Sequence, residues 1–201
     1  GILFGGIFRR WTIAREKLDA RVVELSTINR ISRIISSSFD QDSLFESLSV
    51  AALQLVGQGS LFLIGLVDEQ EHDEIDYLYY DASGQCTAEF RAHRDQGLSG
   101  WVLRNRQPLC LGDLNKQYMD YAQSDEHYDQ LYASWVGVPL VVHGDVVGVM
   151  SVQSLQSEAY TQEHLQVLEI IADQTVVAVE NSRLYQLATV DGLTGLFVRR
   201  Y

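Results

Sequence analysis

Few side chains in this 201-residue sequence could act as nucleophiles, acid–base groups or metal ligands. Cys86 and Cys110 are its two cysteines. They form neither a C-x-x-C pair nor a metal-ligand cluster, so they suit a reducing compartment and assign no reaction. The five histidines, His72, His93, His127, His143 and His164, are scattered. Asp125-Glu126-His127-Tyr128-Asp129 carries donors that could ligate a metal, but loose acidic clusters are usually solvated surface. Haem ligation through His93 or His127 is disfavoured. No Ser-His-Asp order, phosphate-cradling loop or paired-carboxylate site stands out. One interval is instead dense in aromatic rings: Phe90, Trp101, Tyr118, Tyr121, Tyr128, Tyr132 and Trp135. That inventory points away from catalysis by this chain.

The elements that carry these residues begin with a short apolar stretch, Gly1 to Phe8, followed by Arg9, Arg10 and Trp11. Eight residues cannot span a bilayer, which needs about 20. Residues 1–10 read either as the last turns of a transmembrane helix, with the Arg pair and Trp11 at the cytoplasmic interface, or as a helix end that is simply exposed. A cleaved signal peptide is disfavoured because the charges follow the apolar run. Residues 11–38 have helical spacing (Leu18, Val22, Leu25, Ile28, Ile31, Ile35), with Asn29 and Ser32 interrupting the seam. A two-helix dimer contact is the natural use of such a signalling helix; packing on its own domain is the alternative. Ser36 to Asp40 breaks it. A second helix is predicted from Gln41 to about Val56, with Leu44, Phe45, Leu48, Ala51, Ala52 and Leu55 inward.

The middle of the chain is β-rich. Residues 60–68 form an apolar run suited to a central strand, and residues 75–81 a second strand. The charged turn between them predicts an antiparallel hairpin. A short strand over 86–92, a Gly-led short helix over 96–104 and a brief edge strand over 108–113 follow. Residues 115–133 are polar, acidic and Tyr-rich. Two further strands, 134–142 and 145–155, flank a tight turn at His143-Gly144-Asp145. A last helix is predicted from about Thr161, a good N-cap, to Thr189, roughly 40 Å at 1.5 Å per residue. Leu165, Leu168, Ala172, Thr175, Val179 and Ser182 lie on one stripe. Val167, Ile170, Ile171, Val177, Ala178 and Leu184 lie on another. Two stripes call for two partners: the helix's own domain and a second helix. The composition, 46% hydrophobic with two Pro, fits one globular domain with helical extensions. The formal charge of −12 argues against nucleic-acid or anionic-membrane surfaces as partners.

Three stretches together resemble the GAF domain, a ligand-binding sensory module. The first is Gly97-Leu-Ser-Gly-Trp-Val102 with Pro108 and Asp113. The second is Ser134-Trp-Val-Gly-Val-Pro-Leu140 with Gly144-Asp-Val-Val-Gly-Val149. The third is Tyr160-Thr-Gln-Glu-His-Leu165 with the helix running on to Asn181 and Tyr185. The resemblance covers residues 36–185 and implies an α+β fold. A central antiparallel sheet of about six strands would carry the long N- and C-terminal helices on one face. The other face would hold a pocket roofed by loops and short helices between Ala82 and Trp135. The expected lining is Phe90, Trp101, Tyr121, Tyr132 and Trp135, suited to a small planar or apolar ligand of unknown identity. Alternatively, these rings fill the space as a satellite core. Asn115-Lys116 and Tyr121 to Glu126 imitate the signature of cyclic-nucleotide-binding relatives at the wrong place in the fold, which disfavours that ligand. Neither cysteine belongs to a Cys-His pair as in bilin-binding relatives.

Beyond the helix, Asp191, Leu193, Thr194, Gly195, Leu196, Arg199 and Arg200 match the opening signature of GGDEF (diguanylate cyclase) domains, with Val198 where Asn is usual. The organisation expected is therefore a signalling helix over 11–38, a GAF domain over 39–185, and a linker with the start of a GGDEF domain over 186–201. The GG-D/E-E-F loop, metal carboxylates and nucleotide contacts of a cyclase lie outside these residues. The resemblance implies a regulatory chain that is not itself an enzyme, within a parent diguanylate cyclase; GTP and magnesium would belong to the cyclase domain. A homodimer through the N- and C-terminal helices is expected, in the cytoplasm or as the cytoplasmic part of an inner-membrane protein. Two rivals are a ligandless dimerisation spacer and a free-standing GAF-type methionine sulfoxide reductase, which would need reactive cysteines.

Overall fold

The run Leu-Phe-Leu-Ile-Gly-Leu-Val has no polar side chain to turn toward water, so its strand must be covered on both faces. In the computed structural model, which describes residues 41–56, 61–68, 71–122 and 131–189, this strand lies inside a six-stranded sheet. The elements in chain order are α1 (Gln41–Val56), β1 (Leu61–Val67), β2 (Glu74–Tyr80), β3 (Cys86–His93), α2 (Gly97–Asn105), β4 (Leu109–Leu111), α3 (Leu114–Tyr121), β5 (Ser134–Val142), β6 (Asp145–Ser154) and α4 (Gln162–Thr189). The strand order is β3-β2-β1-β6-β5-β4, and every neighbouring pair is antiparallel. The fold is α+β with a six-stranded antiparallel sheet, as the resemblance implied. Both expected hairpins are present, and β4 is the edge strand anticipated after Pro108. The segments 1–40 and 190–201, which include the expected signalling helix and the GGDEF-like signature, lie outside the described residues. No helix among the described residues is long and apolar enough to cross a membrane.

Helices α1 and α4 pack on one face of the sheet and against each other. Alternation along the strands sends Phe62, Ile64, Val136, Val138, Met150 and Val152 to that face, where they meet Phe45 and Leu48 of α1 and Leu168 and Ile171 of α4. Fully burying one such side chain stabilises by about 1.5–3 kcal/mol relative to leaving it exposed, so this cluster is the main store of stability. Helix α4 starts where Thr161 predicts. The His164 imidazole reaches back to accept the Thr161 backbone N–H at 3.0 Å, with histidine in the position usually held by the Glu or Gln of a capping box. The buried Thr175 hydroxyl is satisfied by the Ile171 carbonyl at 2.7 Å.

The two apolar stripes of α4 do not divide cleanly. Leu165, Leu168, Ala172 and Thr175 of the first stripe are buried, but so are Ile171 and Ala178 of the second. Val179 packs on the helix-side core, whereas Val177 is 51% exposed. A helix laid on a twisted sheet beside α1 covers a broad arc, wider than one heptad stripe.

The opposite face carries Leu63, Ile75, Tyr77, Trp135 and Val149, covered by α2 and α3. Gly97 opens α2 with φ +62°, and a Cβ at Gly100 would lie 2.2 Å from the Asp95 backbone, so the helix folds back tightly on the turn that precedes it. Helix α3 falls in the interval read only as polar and acidic. Leu114 and Tyr118, four apart, are its two buried residues, and Tyr121 packs beside them half-buried.

Replacing Leu168 by Ala is expected to destabilise the domain by about 2–5 kcal/mol, because it empties a fully buried site between α4 and the sheet. Denaturant unfolding of the wild type and variant measures this directly.

Candidate functional site

Period-two alternation places Tyr77 and Tyr79 of β2 on the face away from α1 and α4, and register sets Phe90 of β3 opposite Tyr77. The three rings form a stack across two strands. Phe90 lies 5.0 Å from Tyr77 at an interplanar angle of 19°, and 5.7 Å from Tyr79 at 23°. Beside them, between the sheet and the first turns of α2 and α3, is a cavity of about 140 Å³. Its walls are Leu63, Tyr77, Tyr79, Phe90 and Ala92 from β1 to β3, Gln96 to Ser99 at the start of α2, Leu114 and Tyr118 of α3, Trp135 of β5 and Gln153 of β6.

Trp135 is buried and lies across Gly137, two residues along the same strand face. A Cβ at Gly137 would come 2.1 Å from the indole, so only glycine leaves room for this ring position. Leu63 is buried at the inner wall, while Phe90 is 39% exposed at the rim. Burial pushes the Tyr77 phenol well above its ordinary pKa, against a smaller opposing effect of its hydrogen bond with Ser99. It is therefore a neutral hydrogen-bonding group at neutral pH. Among the described residues, the wall carries no Asp, Glu, Lys, Arg or His side chain.

Of the five ring residues anticipated as lining, Phe90 and Trp135 stand in the wall. Trp101 and Tyr121 do not. They meet each other edge to face, with centroids 5.3 Å apart at 81°, where α2 leans on α3. Helix α2 turns Leu98, Val102 and Leu103 inward, which leaves Trp101 on its flank. Tyr132 packs against the same cluster outside the wall. Tyr77 and Tyr79 were missed as lining, although the alternating tyrosines of Ile75 to Asp81 are a visible signal for two rings on one strand face. Tyr118 lines the cavity, and Tyr128 lies outside the described residues.

The other chemistry-bearing residues fall elsewhere. Cys86 and Cys110 both pack on the helix side of the sheet, across from the cavity. A register shift between Tyr79 and Tyr80 puts Cys86 opposite Tyr80 and so on that side. The Cys110 thiol has its pKa raised by burial and then by the Glu158 charge, which disfavours the thiolate. Lys116 pairs with Asp113 at 2.7 Å, outside the cavity wall. The acidic group at residues 125–129 lies outside the described residues. Among those that are described, no three His, Cys, Asp or Glu side chains gather to hold a metal.

Comparison with known proteins places this arrangement. The GAF domain family matches residues 40–180. The chain is 31% identical over 140 residues to the Nif-specific regulatory protein of Azospirillum lipoferum, and equally to that of Azospirillum brasilense. The match covers 68% of this chain and 22% of either relative, so the chain spans about a fifth of their length. Among solved structures it superposes on the GAF domain of an Acinetobacter phosphoenolpyruvate-protein phosphotransferase with a TM-score of 0.63 and 19% identity, covering 80% of this chain and 95% of that one. It also resembles the free methionine-R-sulfoxide reductase of Neisseria meningitidis, solved in complex with its substrate, with a TM-score of 0.64 and 18% identity, covering 83% and 93% of the two chains. At such identities the structural likeness speaks to fold alone. The family match over residues 40–180, on a six-stranded sheet with helices on one face and a ring-lined cavity on the other, shows that this chain belongs to the GAF domain family, a class of sensory and regulatory modules.

Proposed function

We propose that this GAF domain is a sensor that binds a small molecule in the cavity under α2 and α3 and relays its occupancy through α4 to an output domain. The observation that carries this reading is the ring-lined cavity itself, set directly across the sheet from α4. A solidly packed satellite core would favour the spacer reading instead. The route is short. On β5, Trp135 faces the cavity, while its neighbour Val136 lies in the core beneath α4. A ligand that moves Trp135 would bias how α4 sits, by no more than its differential affinity for the two arrangements.

The output we favour is a diguanylate cyclase, on the strength of Asp191 to Arg200. Such enzymes condense two GTP across a dimer, so the geometry of a paired α4 would be the controlled variable. The 51% exposure of Val177 supports a second helix on that flank, and the partner is a second copy of the chain. A second reading is favoured by the Azospirillum relatives: the same module would serve a regulator of a different output type. The reductase reading is disfavoured because both cysteines lie across the sheet from the cavity; assaying turnover of free methionine sulfoxide separates it.

A thermal-shift screen of metabolites, nucleotides and haem is expected to yield a stabilising ligand. At 100 times its dissociation constant such a ligand adds about 2.7 kcal/mol. Ala92→Trp, which fills the cavity from the half-exposed strand β3, is expected to abolish the shift while the domain stays folded. A screen without any hit returns the domain to a spacer role.

For the dimer, Val177→Asp should yield a monomer by light scattering with unfolding behaviour near that of the wild type. Val179→Asp should lower stability instead, since Val179 packs on the core. Equal behaviour of the two variants would remove the second helix from that flank.

In the parent protein, residues inserted between Tyr185 and Asp191 rotate the output by about 100° each. Cyclic di-GMP synthesis is expected to vary with one to four insertions. A flat response would sink relay by helix register and leave the sensor assignment standing.

A further inference from the structure

We propose that the cavity selects a neutral aromatic molecule of one ring, or at most an indole-sized pair of fused rings; this rests on the sensory reading above and narrows its ligand. Size comes first. A volume of about 140 Å³ is close to the roughly 150 Å³ apolar cavity that accommodates benzene. A nucleotide, with base, sugar and phosphate, is larger than this volume and would extend out of it into solvent.

Charge comes second. The wall holds no ionised side chain among the described residues, and the whole chain carries −12. An anion entering would give up its water for no full positive charge, gaining only the partial charge at the start of α2. A cation would find no carboxylate in the wall among the described residues. The polar side chains of the wall are uncharged: the amides of Gln96 and Gln153, the Ser99 hydroxyl and the phenols of Tyr77, Tyr79 and Tyr118. These suit a ligand bearing a hydroxyl, a ring N–H or an amide.

Shape comes third. Tyr77, Tyr79 and Phe90 stand as near-parallel rings in the wall, which Trp135 also lines. A wall built of aromatic rings favours a flat guest over a puckered one of equal size, through stacking or edge-to-face contact.

The test uses the 201-residue chain labelled with 5-fluorotryptophan, which reports its three tryptophans separately, with Trp101→Phe and Trp135→Phe assigning two of the signals. Phenol and indole are titrated beside benzoate and cyclohexanol. The expected result is a saturable shift of the Trp135 signal by phenol and indole. Benzoate should bind about tenfold more weakly or worse, the penalty for about 1.4 kcal/mol of uncompensated charge. Cyclohexanol should bind several-fold more weakly than phenol. Ala92→Trp should abolish the shift; Ser99→Val, which leaves the rings in place, should weaken phenol more than it weakens toluene. Benzoate binding as tightly as phenol would overturn neutrality, and cyclohexanol matching phenol would overturn the aromatic preference. If no probe moves Trp135 but a larger or charged metabolite stabilises the protein in the thermal screen, this ligand class is wrong and the sensor stands. If neither happens, both fail.

Discussion

Two-sided burial of the central strand pair is the constraint on which the structure depends. Strands β1 and β6 are hydrogen-bonded neighbours in the middle of the sheet. One set of their side chains, Phe62, Ile64, Met150 and Val152, lies under α1 and α4; the other, Leu63 and Val149, lies under α2 and α3. Neither face can be left wet, because each would return several fully buried apolar side chains to water at about 1.5–3 kcal/mol apiece. The two faces are nonetheless covered unequally. Long helices seal one side with Leu, Ile and Phe, whereas two helices of nine and eight residues span the other. Short helices over a wide sheet leave space between their first turns and the strands, and that space is the cavity.

That asymmetry gives the two faces of the sheet different characters. The helix-side core holds the fold together; the cavity side can tolerate rings that stand apart and a hydroxyl such as that of Tyr77, which finds its partner in Ser99. Strand β5 joins the two, since Trp135 and Val136 are consecutive residues pointing to opposite faces. In a close-packed interior a shift of one side chain is passed to its neighbours and not absorbed. The sheet is thus both the floor of the site and the seat of the helix that leaves the domain.

The electrostatics of the two regions also differ. Charge is kept to the outer surface, as in the Arg91 guanidinium, which donates to Asp76 at 2.7 Å and to Asp68 at 2.9 Å near one end of β2 and β3. Solvent-exposed pairs of this kind contribute little to stability. Their effect is on the edge strand β3, where charged side chains on the outer row discourage pairing with another sheet. The cavity wall is kept free of such groups among the described residues, so its character is set by aromatic rings and uncharged polar groups.

Local patterns in the sequence determined the strands, the two hairpins and the helices other than α3. The apolar run from Leu61, the turn at His143-Gly144, the Gly-led start of α2 and the Thr161 cap are each governed by neighbours within a few residues, so each was legible without a third dimension. The GAF motifs, spread from Gly97 to Leu165, added which face the helices take. What only the tertiary structure decided depends on contacts between distant segments. Helix α3 looked like polar loop because only Leu114 and Tyr118 of its eight residues are buried. Trp101 and Tyr121 looked like pocket walls but found each other across α2 and α3, 20 residues apart in sequence. Tyr77 and Tyr79 became wall residues because register set Phe90 beside them. Cys86 went to the far side because of an irregular pairing after Tyr79, and a one-residue slip reverses every face that follows. Val177 and Val179 carry the same side chain two positions apart on one helix, yet one is exposed and the other packed. Helical periodicity names the stripes; the twist of the sheet beneath them chooses which is covered.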